Sequence, residues 1–161
     1  MPPSDFRTFD PAPSANILDG GEGMIRWCEE KVNVSITPFG SAVSMWVPLG
    51  NLPTEKHPVT GRSYRDMWEG QKDVLREALV MENGEYKHRL IIFCWQRGEG
   101  KSFLVCILEL YRFFNFPRQK IVCGANSKDQ SQFVHYDIMK SIVLHSPRLL
   151  AEIGRKGVQQ K

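Results

Sequence analysis

At 161 residues, with 42 % hydrophobic and 24 % charged side chains, the chain is one domain's worth and long enough to bury a core. A net charge of +3 is mildly basic, compatible with a polyanionic partner without arguing for one. No run is long enough to span a bilayer, and the polar start Met1-Pro2-Pro3-Ser4-Asp5 lacks the apolar stretch of a signal peptide.

Residues 1–22 are rich in Pro, Ser, Asp and Gly and read as an irregular arm. Met24 to Val32 has the pattern of a short amphipathic helix. Val32 to Pro48 alternates weakly around Pro38 and Gly40, as a small hairpin does. Residues 50–63 read as a loop. A clearer helix begins at Asp66, its expected N-cap, with Met67, Trp68, Gln71, Val74, Leu75, Ala78 and Leu79 at three-and-four spacing. Asn83-Gly84 is expected to end that element.

Arg89-Leu90-Ile91-Ile92-Phe93-Cys94 is an apolar strand run leading into Trp95-Gln96-Arg97-Gly98-Glu99-Gly100-Lys101-Ser102, and Phe103 to Leu108 continues as an apolar helix. Strand, glycine-rich turn and helix opening on Gly-Lys-Ser read as a phosphate cradle, the alternative being an ordinary surface turn: in a cradle the amides of a tight loop and a helix N-terminus converge on one anion. Lys101 would set its ammonium between the β- and γ-phosphates, and Ser102 would bind Mg²⁺ through its hydroxyl. The leading glycine of the full pattern falls at position 95, which is Trp95 here. The helix is expected to run from Gly100 to about Phe114, stopping before Pro117. Gln119 to Ala125 reads as a second buried strand, and Ser127 caps a further helix that Pro147 breaks, followed by a last helix over Arg148 to Ile153 and a basic end.

The order strand, helix, strand, helix from Lys87 onward implies parallel pairing with right-handed crossover. The expected fold class is α/β: a P-loop NTPase-type parallel sheet with flanking helices, truncated, and preceded by an irregular N-terminal arm. The division is 1–63, arm and small subdomain, and 64–161, the front portion of a P-loop ATPase domain. Cys28, Cys94, Cys106 and Cys123 lie far apart and three fall in expected core elements, which points to reduced buried thiols and a reducing compartment. No Cys-x-x-Cys and no close Cys/His pairing suggests zinc, and His57, His88, His135 and His145 show no ligand spacing.

Three stretches resemble the ATPase domain of phage large terminase subunits, the motors that push DNA into procapsids. Arg97-Gly98-Glu99-Gly100-Lys101-Ser102 fits a loop that in this family tolerates loss of the leading Gly. Trp68-Glu69-Gly70-Gln71-Lys72-Asp73-Val74-Leu75 is similar to the family's upstream helix with an adenine-contacting glutamine. Gly124-Ala125-Asn126-Ser127-Lys128-Asp129-Gln130 is similar to the turn after the second strand. The likeness covers residues 64–150.

The resemblance implies an ATP and Mg²⁺ site in which Gln71 reads adenine, Gln96 to Ser102 cradle phosphates, Arg97 leans on the γ-phosphate as an arginine finger in cis, and Lys101 shares the catalytic work. It further implies double-stranded DNA, a portal protein and a small terminase subunit as partners, a homo-oligomeric ring for the full-length protein, no membrane, and the bacterial host cytoplasm as the place of action. Hydrolysis in this family needs an apolar strand ending in Asp-Glu; none follows Ser127. The chain is therefore expected to be the front part of a longer motor and not to turn over ATP as it stands. A helicase-like P-loop ATPase fragment and a non-catalytic prophage remnant are the alternative readings.

Overall fold

The computed structural model describes residues 19–116, 120–124 and 135–153. Helix α1 (Gly20–Lys31) is followed by strands β1 (Asn33–Ile36) and β2 (Met45–Pro48), a 3-10 turn over Leu49–Asn51, helix α2 (Tyr64–Ala78) and strands β3 (Met81–Glu82) and β4 (Glu85–Tyr86). Three helices complete the order: α3 (Lys101–Asn115), α4 (Asp137–His145) and α5 (Pro147–Ile153).

The core is built on α1. Met24, Trp27 and Cys28 are wholly buried, and Trp27 meets Tyr111 of α3 edge-on at 5.5 Å and Phe114 at 5.9 Å. Leu75 of α2 and Leu104, Cys106 and Ile107 of α3 close the same core. Glycine lets α1 and α2 come this close: a Cβ on Gly21 would stand 2.7 Å from both Arg76 Cα and the Leu75 carbonyl. Two ion pairs tie the edges. Lys31 reaches Glu152 of α5 at 2.6 Å, and Lys72 of α2 reaches Glu29 of α1 at 2.6 Å.

The cap of helix α2 is Ser63, three residues before the expected one. Ser63 Oγ accepts from the Asp66 amide at 3.0 Å, and the Ser63 amide donates to Asp66 Oδ2 at 2.9 Å. Asp66 is thus the third helical residue of a capping box, in which its carboxylate and the Ser63 hydroxyl each satisfy one amide. Asn83-Gly84 does not end the helix either. Both adopt left-handed φ, 55° and 82°, and turn β3 back on β4, the primed-turn use of Asn-Gly.

Strands β1 and β2 pair antiparallel, Asn33 against Pro48 through Ile36 against Met45. The α4–α5 junction docks on this ribbon. The Asn33 amide donates to the buried Ser146 hydroxyl at 2.8 Å, Asn33 Nδ2 donates to the His145 carbonyl at 2.8 Å, and Trp46 stacks on the His145 ring at 4.2 Å. Pro147 opens α5 as its first residue, where a missing N–H costs nothing.

Among the described residues the strand pairings are these two antiparallel ribbons; a parallel sheet is not among them. The run 90–95 nevertheless keeps the period of a strand: Ile91, Phe93 and Trp95 pack on the core while Leu90 and Ile92 are each 77 % exposed. Cys94 shares the outer side and is exposed, contrary to its expected burial, because nothing among the described residues covers that face. Residues 120–124 form no strand, and Val122 is exposed. The arm before residue 19, Ser127 with its helix start, and the basic end lie outside the described residues. Buried thiols are held neutral: desolvation and then the Glu29 charge raise Cys28 well above its ordinary value, and desolvation followed by the Glu109 charge pushes Cys106 up to about 12. Among the described residues no helix is long and apolar enough to cross a membrane.

Candidate functional site

The loop before α3 turns on two glycines. Gly98 has φ of 91° and Gly100, the residue that caps α3, has φ of 78°. Both conformations disfavour any side chain with a Cβ. At Gly100 space adds a second reason, because a Cβ there would lie 2.6 Å from Gln71 Nε2.

The loop is braced from inside and from α2. Gln71 Nε2 donates to the Glu99 carbonyl at 3.1 Å, and Trp95 Nε1 donates to the same oxygen at 3.3 Å. Lys101 curls back over the turn, its ammonium donating to the Trp95 carbonyl at 2.5 Å and the Gln96 carbonyl at 2.6 Å. The Glu99 carboxylate points the other way and pairs with Arg62 at 3.3 Å. Among the described residues, no acceptor takes the amides of residues 97–103. Those amides, at the positive end of the α3 dipole, are left for an outside acceptor.

Five of the expected site residues therefore meet: Gln71, Gln96, Glu99, Gly100 and Lys101. Gly98 borders the same cavity as Gly100. Two do not join them through their side chains. Arg97 is exposed and makes no ion pair among the described residues, and Ser102 is exposed on the first turn of α3 without a hydrogen bond. Beside the loop lies a cavity of about 540 Å³, within the range of small-molecule sites. Gln71, Gly98 and Gly100 form one wall, Trp46 and Ile36 of the ribbon another, and Asp137 and Ser141 of α4 bring polar groups to a third.

The residues present fit a nucleoside triphosphate. The Lys101 ammonium rests on two carbonyls that phosphate oxygens would replace, the helix amides have no acceptor among the described residues, and an apolar cavity with an amide at its rim adjoins them. For Mg²⁺ the loop offers the Ser102 hydroxyl, a single hard oxygen that leaves the rest of an octahedron to phosphates and water.

Four contributors escaped the sequence reading. Trp95 occupies the place of the missing glycine and braces the loop with its indole. Arg62 lies 37 residues away from its partner Glu99, and no local pattern marks it. Asp137 and Ser141 sit one helical turn apart on α4, a spacing visible in sequence but without a neighbour to give it meaning. No protein-family model matches the chain, and comparison with curated proteins and with solved structures finds no match.

Proposed function

We propose that this chain is the ATP-binding portion of a DNA-packaging motor of the large-terminase type, with the triphosphate on the loop before α3 and the base in the adjoining cavity. The observation that carries the reading is the contact between Gln71 and the Glu99 carbonyl at 3.1 Å. It brings the expected base-reading amide against the expected phosphate loop, although the two are 28 residues apart in sequence. MgATP supplies the transferable phosphoryl group. Lys101 would trade its carbonyl partners for phosphate oxygens, Gln71 would present its amide at the base edge, and Arg97 is exposed at the turn from which a γ-phosphate would be reached. Double-stranded DNA, a portal ring and a small subunit are the partners of such a motor, and DNA contact would be electrostatic and steeply salt dependent.

Isothermal titration of the full chain with ATP and Mg²⁺ tests the nucleotide site. Saturable binding to the wild type that disappears in Lys101→Ala supports the reading. Equal heats from wild type and variant, or no heat at millimolar ATP, overturn it. If ATP binds, retention of a short DNA duplex at low salt and its release as salt rises carry the motor reading further; a chain indifferent to DNA at every salt concentration leaves an ATP-binding module without a packaging role.

A further inference from the structure

Further along α3, beside a second cavity, four metal-competent side chains gather from three separate parts of the chain. Cys106 and Glu109 stand at i and i+3 on α3 and so share a face. His135 comes from the turn leading into α4, and Cys123 from the segment 120–124. One ligand atom each of Cys106, Glu109 and His135 lie within 4.8 Å of one another. Cys123 Sγ donates to Glu109 Oε1 at 3.3 Å, and Cys106 Sγ approaches the His135 carbonyl at 3.8 Å.

The cluster is unsatisfied. Glu109 Oε2 and His135 Nδ1 are both buried and have no hydrogen-bond partner among the described residues. A buried carboxylate oxygen and a buried ring nitrogen left without partners each carry an unrecovered desolvation penalty, larger where the group is charged. A cation between them removes both penalties. A second cavity of about 420 Å³ opens beside the cluster, lined by Glu109, Cys123 and His135 themselves, and gives an ion a way in.

We propose that Cys106, Glu109 and His135, closed by Cys123 as fourth ligand, bind one zinc-class divalent ion. Two thiolates and an imidazole select a borderline-soft metal over Mg²⁺ or Ca²⁺, which prefer oxygen alone. Tetrahedral ligands at about 2.0–2.3 Å from Zn²⁺ stand roughly 3.3–3.8 Å apart, so the three-ligand group needs to contract by only about 1 Å. Four protein ligands leave no open coordination position, which makes the site structural. It staples α3, the helix that carries Lys101 at its start, to the entry of α4. Each thiol loses its proton to solvent as its sulfur binds, so one ion releases two protons and no redox partner is involved.

The test uses the full chain, reduced with a non-chelating phosphine, with Zn²⁺ and Co²⁺ alone as probes. The expected results are one Zn²⁺ retained per chain by native mass spectrometry, a higher Tm with Zn²⁺, and a thiolate-to-Co²⁺ charge-transfer band with tetrahedral visible absorption. His135→Gln and Cys123→Ser, at half-buried positions, each weaken Zn²⁺ more than the 10–100-fold typical of changing a group one step outside the ligands, and Cys123→Ser reduces the thiolate band. Cys106→Ser, which alters the buried core, is read only through its Co²⁺ spectrum. Absence of the thiolate band, or Zn²⁺ affinity unchanged in His135→Gln, overturns the site; affinity unchanged in Cys123→Ser alone overturns its closed, four-ligand form. Because nucleotide binding enters none of these readouts, their failure and that of the ATP site are separate.

Discussion

Gln71 of α2 donates its side-chain amide to the main-chain carbonyl of Glu99 at 3.1 Å, in the turn that precedes α3. One helix thereby sets the position of the loop that opens the next. The Glu99 carbonyl also receives the Trp95 indole at 3.3 Å, so two side chains hold a single oxygen of the turn. Any shift of Gln71 toward a ligand must loosen this brace, and any shift of the loop must release Gln71.

Gly100→Ala is the sharpest probe of that relationship. The variant places a Cβ at φ of 78° and 2.6 Å from Gln71 Nε2. The left-handed conformation alone costs about 1–2 kcal/mol for an L-residue, and displacing Gln71 removes its hydrogen bond as well. Gly98→Ala is the control: its φ is 91°, but its Cβ meets nothing within 4 Å. Urea unfolding should show both variants destabilised, Gly100→Ala by more. Equal losses would mean that the Gln71 contact contributes nothing.

Gln71→Ala separates stability from recognition. The Glu99 carbonyl keeps the Trp95 donor, so the expected loss of stability is under about 1 kcal/mol. Preference among nucleoside triphosphates should fall much further if, as proposed, the amide at the rim of the cavity reads the adenine edge. Competition of ATP and CTP for the wild type and the variant checks this. A variant that discriminates as well as the wild type removes Gln71 from base recognition.

Much of this arrangement was legible in the amino-acid order. Apolar periodicity marks α2 and α3, and Gly98, Gly100 and Lys101 mark the turn between strand-like run and helix. The start of α2 was misread because Asp66 is a good cap by itself; the better signal was Ser63 three residues earlier, which forms the capping box with it. Asn83-Gly84 was open to two readings because a left-handed pair serves a helix end and a primed hairpin turn alike. The run from Leu90 to Trp95 is apolar at every position, so the sequence does not show which face stays uncovered, and which segment packs on it is a long-range matter that local pattern does not carry. The same limit hid the metal ligands. Cys106 and Glu109 are three residues apart, but Cys123 and His135 join them only through the packing of α3 against the start of α4.

The Glu29–Lys72 pair makes acid stability a readout of how α1 and α2 dock. Glu29 Oε1 accepts from Lys72 at 2.6 Å and from the Trp68 indole at 3.0 Å. Burial raises the Glu29 pKa, but these hydrogen bonds and the Lys72 charge outweigh it and hold the carboxyl below its ordinary value. Asp66 is lowered in the same direction by its bonds to Ser63. A carboxylate with a depressed folded pKa stabilises the fold above its unfolded value, about 4.3 for Glu, and that stability is lost as pH falls through the folded value. Glu29→Gln should therefore cost about 1.5 kcal/mol at pH 7, Lys72 keeping its bond to Glu69. The difference from wild type should narrow as pH drops below 4. Chemical denaturation at pH 7, 5 and 3.5 measures this, and a pH-independent difference would assign the loss to packing instead of charge.

Trp27 decides how strongly α1 holds the helix that carries Lys101. It is wholly buried and touches Tyr111 and Phe114 of α3, so Trp27→Ala should cost about 3–5 kcal/mol by the cavity it leaves. Its indole Nε1, however, is buried with no hydrogen-bond partner among the described residues, a penalty of about 1–3 kcal/mol already present in the wild type. Trp27→Phe deletes that orphaned donor together with part of the ring. The lost contact area and the relieved donor act in opposite directions, which brings the expected cost of Trp27→Phe to at least about 2 kcal/mol less than that of Trp27→Ala. Thermal and urea unfolding of the two variants measure the gap. If Phe proves as damaging as Ala, the indole N–H is paired in solution, and the contact of α1 with α3 depends on a polar anchor at Trp27 as well as on aromatic packing.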